Sequence, residues 1–139
     1  MVDRLTPAQR SALMARVRRA DTGPERALRS ELHRRGLRFF KHVKALPGSP
    51  DIVFSRARIV VFIDGDFWHG YRFPLWKAKL APFWQDKIER NRLRDRRNFR
   101  RLRARGWTVI RVWEHQVRLD VAACADRICH AIQFPASRI

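Results

Sequence analysis

The chain has 139 residues, 45% of them hydrophobic, and a formal net charge of +18 from 31 Lys and Arg against 13 Asp and Glu. That is room for one domain with a real core, while no apolar run approaches a transmembrane helix and the N-terminus lacks the apolar core of a signal peptide. So large an excess repels itself unless an anion is close by. Nucleic acid is the favoured partner, an anionic membrane surface the rival, and a merely soluble basic surface the plain alternative. Arginine predominates among the cations, and its planar fork suits bidentate contacts to phosphates and bases. Cys124 and Cys129 lie in an apolar segment at a spacing that fits neither a zinc knuckle nor a redox pair. They read as buried reduced thiols, which suits a cytoplasmic protein. A monomer is expected.

Residues 1–20 are expected to form a basic arm whose short helix, with Leu13, Met14 and Val17 on one side, has little to bury. The domain proper is expected over 21–134, with a short tail at 135–139. Thr22-Gly23-Pro24-Glu25 fits a capping box, with Thr22 as N-cap and Glu25 three residues on. Leu28 and Leu32 follow on one stripe, and Gly36 stops the helix. Leu37–Val43 alternates loosely and predicts a first strand. Leu46–Pro50 predicts a turn in which Pro50 keeps Ser49 extended. Pro50–Phe54 and Ile59–Ile63 predict two antiparallel strands joined by Ser55-Arg56-Ala57-Arg58, which would bring Asp51 and Asp64 to neighbouring ends.

Residues 66–82 hold Phe67, Trp68, His69, Tyr71, Phe73 and Trp76, too irregular for a helix and too aromatic for an idle loop. A long helix is predicted from Pro82 or Phe83 to Arg105. Ile88, Phe99 and Leu102 share a stripe, and Asn91 and Asp95 fall on it too. An acid there needs a partner. Trp107–Trp113 alternates as a strand, and Asp120 caps a last helix burying Val121, Ala125, Ile128 and Ile132. The order helix, three strands, long helix, strand, helix predicts an α/β fold, a small mixed β-sheet flanked by helices. No glycine-rich phosphate loop is present.

Carboxylates gathered at a sheet edge in so basic a chain point to a divalent metal working on a phosphate backbone. Asp51 and Asp64 are oxygen ligands of the kind Mg²⁺ takes, although Asp51 also reads as a turn-capping acid. If strand alternation turns Asp64 away, the Ile63 carbonyl faces the metal instead. Glu25 either completes the capping box or presents its acid to the hairpin, and the two tasks are compatible. His69, whose type titrates near neutrality, suits a general base; its plain reading is a surface histidine in an aromatic loop. Asp95 orients His69, binds a metal through water, or pairs with an arginine in the core. Phe67, Trp68 and Trp84, beside a cationic groove, suit stacking on bases or wedging between them. Arg94, Arg96 and Arg97 stand ready for phosphates on the long helix.

Several motifs together make the chain resemble the very short patch repair DNA mismatch endonucleases, a branch of the PD-(D/E)xK nuclease superfamily. They are Asp21-Thr22 with Glu25, Leu46-Pro47-Gly48-Ser49-Pro50-Asp51, Phe62-Ile63-Asp64-Gly65-Asp66-Phe67-Trp68-His69, Phe83-Trp84 with Lys87-Ile88 and Asn91, Arg94-Asp95-Arg96-Arg97, and Gly106-Trp107 through Val112-Trp113-Glu114. The resemblance spans Met14 to about Ile132. It implies a restriction-endonuclease-like fold and a strand-specific nick beside a T:G mismatch in double-stranded DNA. It places the metal aspartate at Asp51, the metal-binding carbonyl at Ile63, the catalytic histidine at His69, a second acid at Asp95, the helix acid at Glu25, and the wedge at Phe67, Trp68 and Trp84. The rivals are a restriction-like or structure-selective nuclease of the same fold and a non-catalytic DNA-binding module. The chain departs from the family's best-known form in several places, among them a shorter loop after His69 and Ile63 where the family often has threonine. The positions of its structural zinc ligands hold Asp66, Tyr71, Phe73 and His115, so no structural zinc is expected. Asp64 stands where that form has histidine, which suggests its recruitment as a direct ligand.

Overall fold

The computed structural model describes residues 21–135. The predicted arm at 1–20 and the end of the tail, 136–139, lie outside the described residues. Helix α1 is Gly23–Arg34. Strands β1, Phe40–Lys41, β2, Ile52–Phe54, and β3, Ile59–Asp64, follow. Two short 3-10 turns, Phe73–Leu75 and Lys77–Lys79, lead to helix α2, Pro82–Ala104. Strand β4, Thr108–Trp113, precedes a short helix α3, Glu114–Leu119, and a longer one, α4, Val121–Gln133.

The four strands form one sheet in the order β1-β2-β3-β4. The first three are antiparallel, with Phe54 opposite Ile59 across the predicted hairpin, and β4 lies parallel to β3. A parallel neighbour requires a crossover, and α2, about 35 Å long at 1.5 Å per residue, supplies it. β3 is buried along its whole length, which explains its unbroken apolar run. Ile59, Val61 and Ile63 face one layer, against Leu28 and Leu32 of α1, Val117 of α3, and Ala125 and Ile128 of α4. Val60 and Phe62 face the other, against Phe99 and Leu102 of α2. The fold is thus the small mixed sheet flanked by helices that the pattern predicts.

Local signals act largely as expected. The Thr22 hydroxyl caps α1, accepting the Glu25 N–H at 3.4 Å, but the Glu25 carboxylate reaches past the cap to the Asp21 N–H, at 2.9 Å. At the end of α2, the Gly106 and Trp107 N–H groups close on the carbonyls of Arg103 and Leu102. That exit needs a positive φ, and Gly106 has φ +87. Asp120 caps α4 through Ala123.

Four expectations need correction. The first strand is two residues long and exposed, not Leu37–Val43. Pairing stops because His42 turns to φ +51. Ser49 is not extended but sits at φ +51, since its N–H closes the turn on the Leu46 carbonyl. Helix α3 carries no break residue before it and buries Val117 alone, so periodicity does not mark it. Cys124 is buried, but Cys129 is only half-buried, 3.8 Å from the Arg35 guanidinium.

Candidate active site

The open end of β3 makes the site. Pairing with β2 stops at Ile52–Val61, so Ile63 and Asp64 run past their neighbour. The free edge is taken by a side chain: Asp51 Oδ2 accepts the Ile63 N–H at 2.7 Å. A strand residue points its N–H and C=O to the same neighbour, so the Ile63 carbonyl is turned to the Asp51 side. Strand alternation sends the Asp64 side chain to the other face, with Val60 and Phe62 and toward α2.

Two carboxylate–imidazole groups result, one on each side of β3. In the first, Glu25, His42 and Asp51 each bring a donor atom within 4.8 Å of the other two. The Glu25 carboxylate, 5% exposed, is held by the Asp21 N–H, by Arg29 and by His42 Nε2 at 2.9 Å. In the second, Asp64, His69 and Asp95 do the same. His69 Nδ1 lies 2.7 Å from Asp95 Oδ2, and its Nε2 lies 3.5 Å from Asp64 Oδ1. Both groups line one cleft of about 1080 Å³, together with Ile63, Trp68 and Arg94.

Arg111, on β4, closes the second group. Its Nε donates to Asp64 Oδ2 and an Nη to Asp95 Oδ2, each at 2.8 Å. Its guanidinium lies 4.2 Å over the Trp113 ring and 5.1 Å from the Phe99 ring. This answers the demand that a core-facing Asp95 have partners: it has a histidine and an arginine together. Arg111 escapes sequence reasoning because it is one arginine among many. The available signal was a cation at the position in β4 that pairs with Phe62, on the face buried by α2.

Burial pushes the Asp51 carboxyl up to about 7, with the charges of Glu25 and Asp64 adding to it against the Ile63 N–H bond. Burial likewise raises Asp64, opposed by His69 and Arg111. For His69 burial disfavours the charged ring, but the Asp95 hydrogen bond and the charges of Asp64 and Asp95 prevail and raise its pKa.

The loop after β3 is pinned onto α2. Asn91, buried on the α2 stripe, donates its amide to the Trp68 carbonyl at 2.8 Å. Gly70, at φ +70, lies so close that a Cβ there would stand 2.7 Å from Arg92 Cδ and 2.9 Å from Ile88 Cγ2. His69 therefore rides on the helix that carries Asp95.

The predicted wedge residues cluster: the Phe67 and Trp68 rings stand 4.9 Å apart, and Trp68 and Trp84 5.2 Å. Phe67 and Trp68 are half-buried, but Trp84 is only 2% exposed. Trp84 supports the cluster from beneath and offers no face to a base; Phe83, 40% exposed, and Leu75, 75% exposed, are the large apolar side chains at the surface there. Of the three arginines, Arg94 lines the cleft, whereas Arg96 lines a separate depression with Arg90 and Leu93 and Arg97 is exposed on α2. At the places of the expected zinc ligands, His115 Nδ1 lies 2.7 Å from Asp66 Oδ1. The Tyr71 ring packs on His115, and Phe73 is buried in the aromatic cluster. Among the described residues no helix is long and apolar enough to cross a membrane.

A model of the family described as DNA mismatch endonuclease Vsr matches residues 2–74. A type II nicking enzyme of Xanthomonas oryzae pv. oryzae is 47% identical over 130 residues, 92% of this chain and 95% of that protein. A type II nicking enzyme of Neisseria meningitidis serogroup C is 38% identical over 135 residues, 95% of this chain and 91% of that one. The DNA mismatch endonuclease Vsr of Escherichia coli (strain K12) is 41% identical over 120 residues, 85% of this chain and 77% of that one. With acids and an imidazole gathered in one cleft of a basic α/β domain, these likenesses close the identification: the chain belongs to the DNA mismatch endonuclease Vsr family and is a DNA endonuclease that uses a divalent metal.

Proposed function

We propose that this endonuclease uses Mg²⁺ to nick one strand of double-stranded DNA beside a T:G mismatch, as in very short patch repair. The observation that carries the reading is the grip on His69, whose Nδ1 is tied to buried Asp95 and whose ring lines the same cleft as Asp51. The donors fit the metal: two carboxylates, Glu25 and Asp51, and the carbonyl of Ile63 are oxygen ligands. Asp51 and the Ile63 carbonyl would hold the cation, with Glu25 beside it; Asp64, engaged by Arg111, contributes charge. Bound there, the cation supplies charge neutralisation at the phosphate and at the departing 3′ oxygen.

The protein's own groups do the rest. Asp95 accepts the Nδ1–H of His69 and so fixes the tautomer whose Nε2 lone pair takes a proton from the attacking water. As Nε2 gains that proton, Asp64 Oδ1 at 3.5 Å stabilises the imidazolium. Asp64 and Asp95 carry two negative charges and Arg111 one positive, so the group becomes neutral when His69 is protonated. Attack is direct on phosphorus, leaving a 5′-phosphate and a 3′-hydroxyl. Arg94, Arg96 and Arg97 track the phosphates, and the Phe67–Trp68 edge senses the weakened stack at a mismatch. Asp66, Tyr71, Phe73 and His115 hold the loop by packing and need no zinc.

The test is a nicking assay on end-labelled duplexes, either strand labelled, with T:G, matched and branched substrates in parallel and the metal varied. One-strand cutting of T:G duplex with Mg²⁺ is expected, lost in His69→Ala while DNA binding persists. Equal cutting of matched DNA would sink the mismatch assignment, and full turnover in His69→Ala would sink the base. Metal analysis after mild chelation should find no tightly held zinc; stoichiometric zinc overturns that part.

A further inference from the structure

We propose that His42 is a direct protein contact to the divalent cation, making the metal centre a mixed oxygen–nitrogen site of Glu25, His42 and Asp51 that binds Mn²⁺ in preference to Mg²⁺. The proposal rests on the reading that a cation works at Asp51, and adds to it a ligand and a metal preference.

Three separate segments converge here. Helix α1 brings Glu25, the residue after β1 brings His42, and the residue before β2 brings Asp51. One donor atom of each lies within 4.8 Å of the other two. His42 Nε2 and Glu25 Oε2 stand 2.9 Å apart, close to the separation of neighbouring donors around a cation with contacts of about 2.1 Å. Without a cation the same contact serves as a hydrogen bond. The His42 side chain is partly exposed and lines the cleft together with Ile63.

His42 has φ +51, a left-handed conformation that histidine adopts more readily than most side chains other than glycine. It is kept by the His42 N–H on the Asp51 carbonyl and the Val43 N–H on the Pro50 carbonyl, each at 3.1 Å. The imidazole is thereby pinned to the very stretch that presents Asp51. That carboxylate is held by a backbone N–H, from Ile63, which leaves its charge to be met by a cation from solution. The turn held in this way sets a nitrogen beside two carboxylates, which is the donor set a mixed oxygen–nitrogen site needs. Mg²⁺ takes oxygen, demands a near-ideal octahedron and keeps its waters, whereas the first-row transition ions, Mn²⁺ at the weak end among them, also accept a nitrogen donor, so an imidazole ligand favours Mn²⁺ over Mg²⁺.

The experiment uses the full chain without DNA. Calorimetric titrations with Mn²⁺ and with Mg²⁺ are run on the parent, on His42→Asn, whose asparagine tolerates the left-handed backbone, and on Asp51→Asn. Pulsed electron paramagnetic resonance of the Mn²⁺ forms reads nitrogen coupling directly. The parent is expected to bind Mn²⁺ about tenfold or more tighter than Mg²⁺, with a coupled nitrogen. His42→Asn should lose the coupling and most of the ratio, while His69→Gln keeps both. No coupled nitrogen in the parent overturns the proposal, and this measurement does not depend on any variant folding. Coupling or an Mn²⁺/Mg²⁺ ratio unchanged in His42→Asn overturns it too. If Asp51→Asn binds both cations like the parent, the underlying reading of a cation at Asp51 falls, and the proposal with it.

Discussion

Arg111→Met removes the cation that ties two buried carboxylates together. Asp64 and Asp95 are 5% and 7% exposed, and Arg111 donates to each at 2.8 Å. Hydrogen bonds to charged groups are worth about 1.5–3 kcal/mol each, and leaving a buried charge unpaired costs about 3–5 kcal/mol. The arginine side chain is itself 24% exposed, so water screens part of the pairing and the lower end applies. A loss of about 3 kcal/mol is expected, or roughly 10 °C in Tm for a chain of this size. The loss depends on pH in a definite direction. Burial already raises Asp64 above its ordinary 3.8, and Arg111 holds it down. Without Arg111 its folded pKa rises further. A carboxyl raised by folding costs nothing while protonated in both states and costs progressively more as pH climbs toward the folded pKa. The deficit should therefore be smallest near pH 4 and largest near pH 8. Urea unfolding of parent and variant at both pH values measures it. Arg111→Lys, which keeps the charge but loses the fork, should recover part of the loss. A deficit below about 1 kcal/mol at pH 8, or one equal at both ends, would refute the account of Arg111 as a buried bridge.

Three further outcomes follow from the geometry. Binding of Mg²⁺ must expel the proton from Asp51, whose carboxyl sits at about 7. Affinity should therefore weaken about tenfold per pH unit below that value and level off above it, with proton release seen by calorimetry in two buffers; flat affinity from pH 5.5 to 8.5 contradicts this. Gly70→Ala forces a left-handed alanine against Ile88 and Arg92. It should cost about 1–3 kcal/mol and slow cleavage more than it weakens DNA binding, because His69 is the next residue; unchanged unfolding and cleavage would show that the loop has room. Trp84→Ala acts through the fold and should cost about 3–5 kcal/mol in denaturant unfolding, whereas a near-neutral stability with weakened DNA binding would return Trp84 to the DNA-contacting surface.

How much the residues disclose unaided can be seen at β3 and α2. The unbroken run Ile59–Ile63 marks a strand buried on both faces, because only such a strand lacks polar alternation. The stripe of Ile88, Asn91, Asp95, Phe99 and Leu102 marks the inner face of α2, because helical period is a local property. Thr22, Asp120 and Gly106 punctuate their helices through bonds to residues at most a few positions away. Such signals are carried by near neighbours in the chain, so the order of the main elements, the mixed sheet and the acids at its edge are legible in the sequence, whereas the short helix α3 is not. The division of those acids could not. Whether Asp64 joins Asp51 or His69 depends on which face of β3 meets α2. Arg111 finds both carboxylates only once the crossover lays β4 beside β3, 47 residues after Asp64. His42 enters the site only through a left-handed turn held by carbonyls at the other end of a loop. Trp84 passes from surface to core because the aromatic loop folds over it. Each of these is a meeting of segments distant in sequence, and such meetings are decided by packing, which pattern and propensity do not encode.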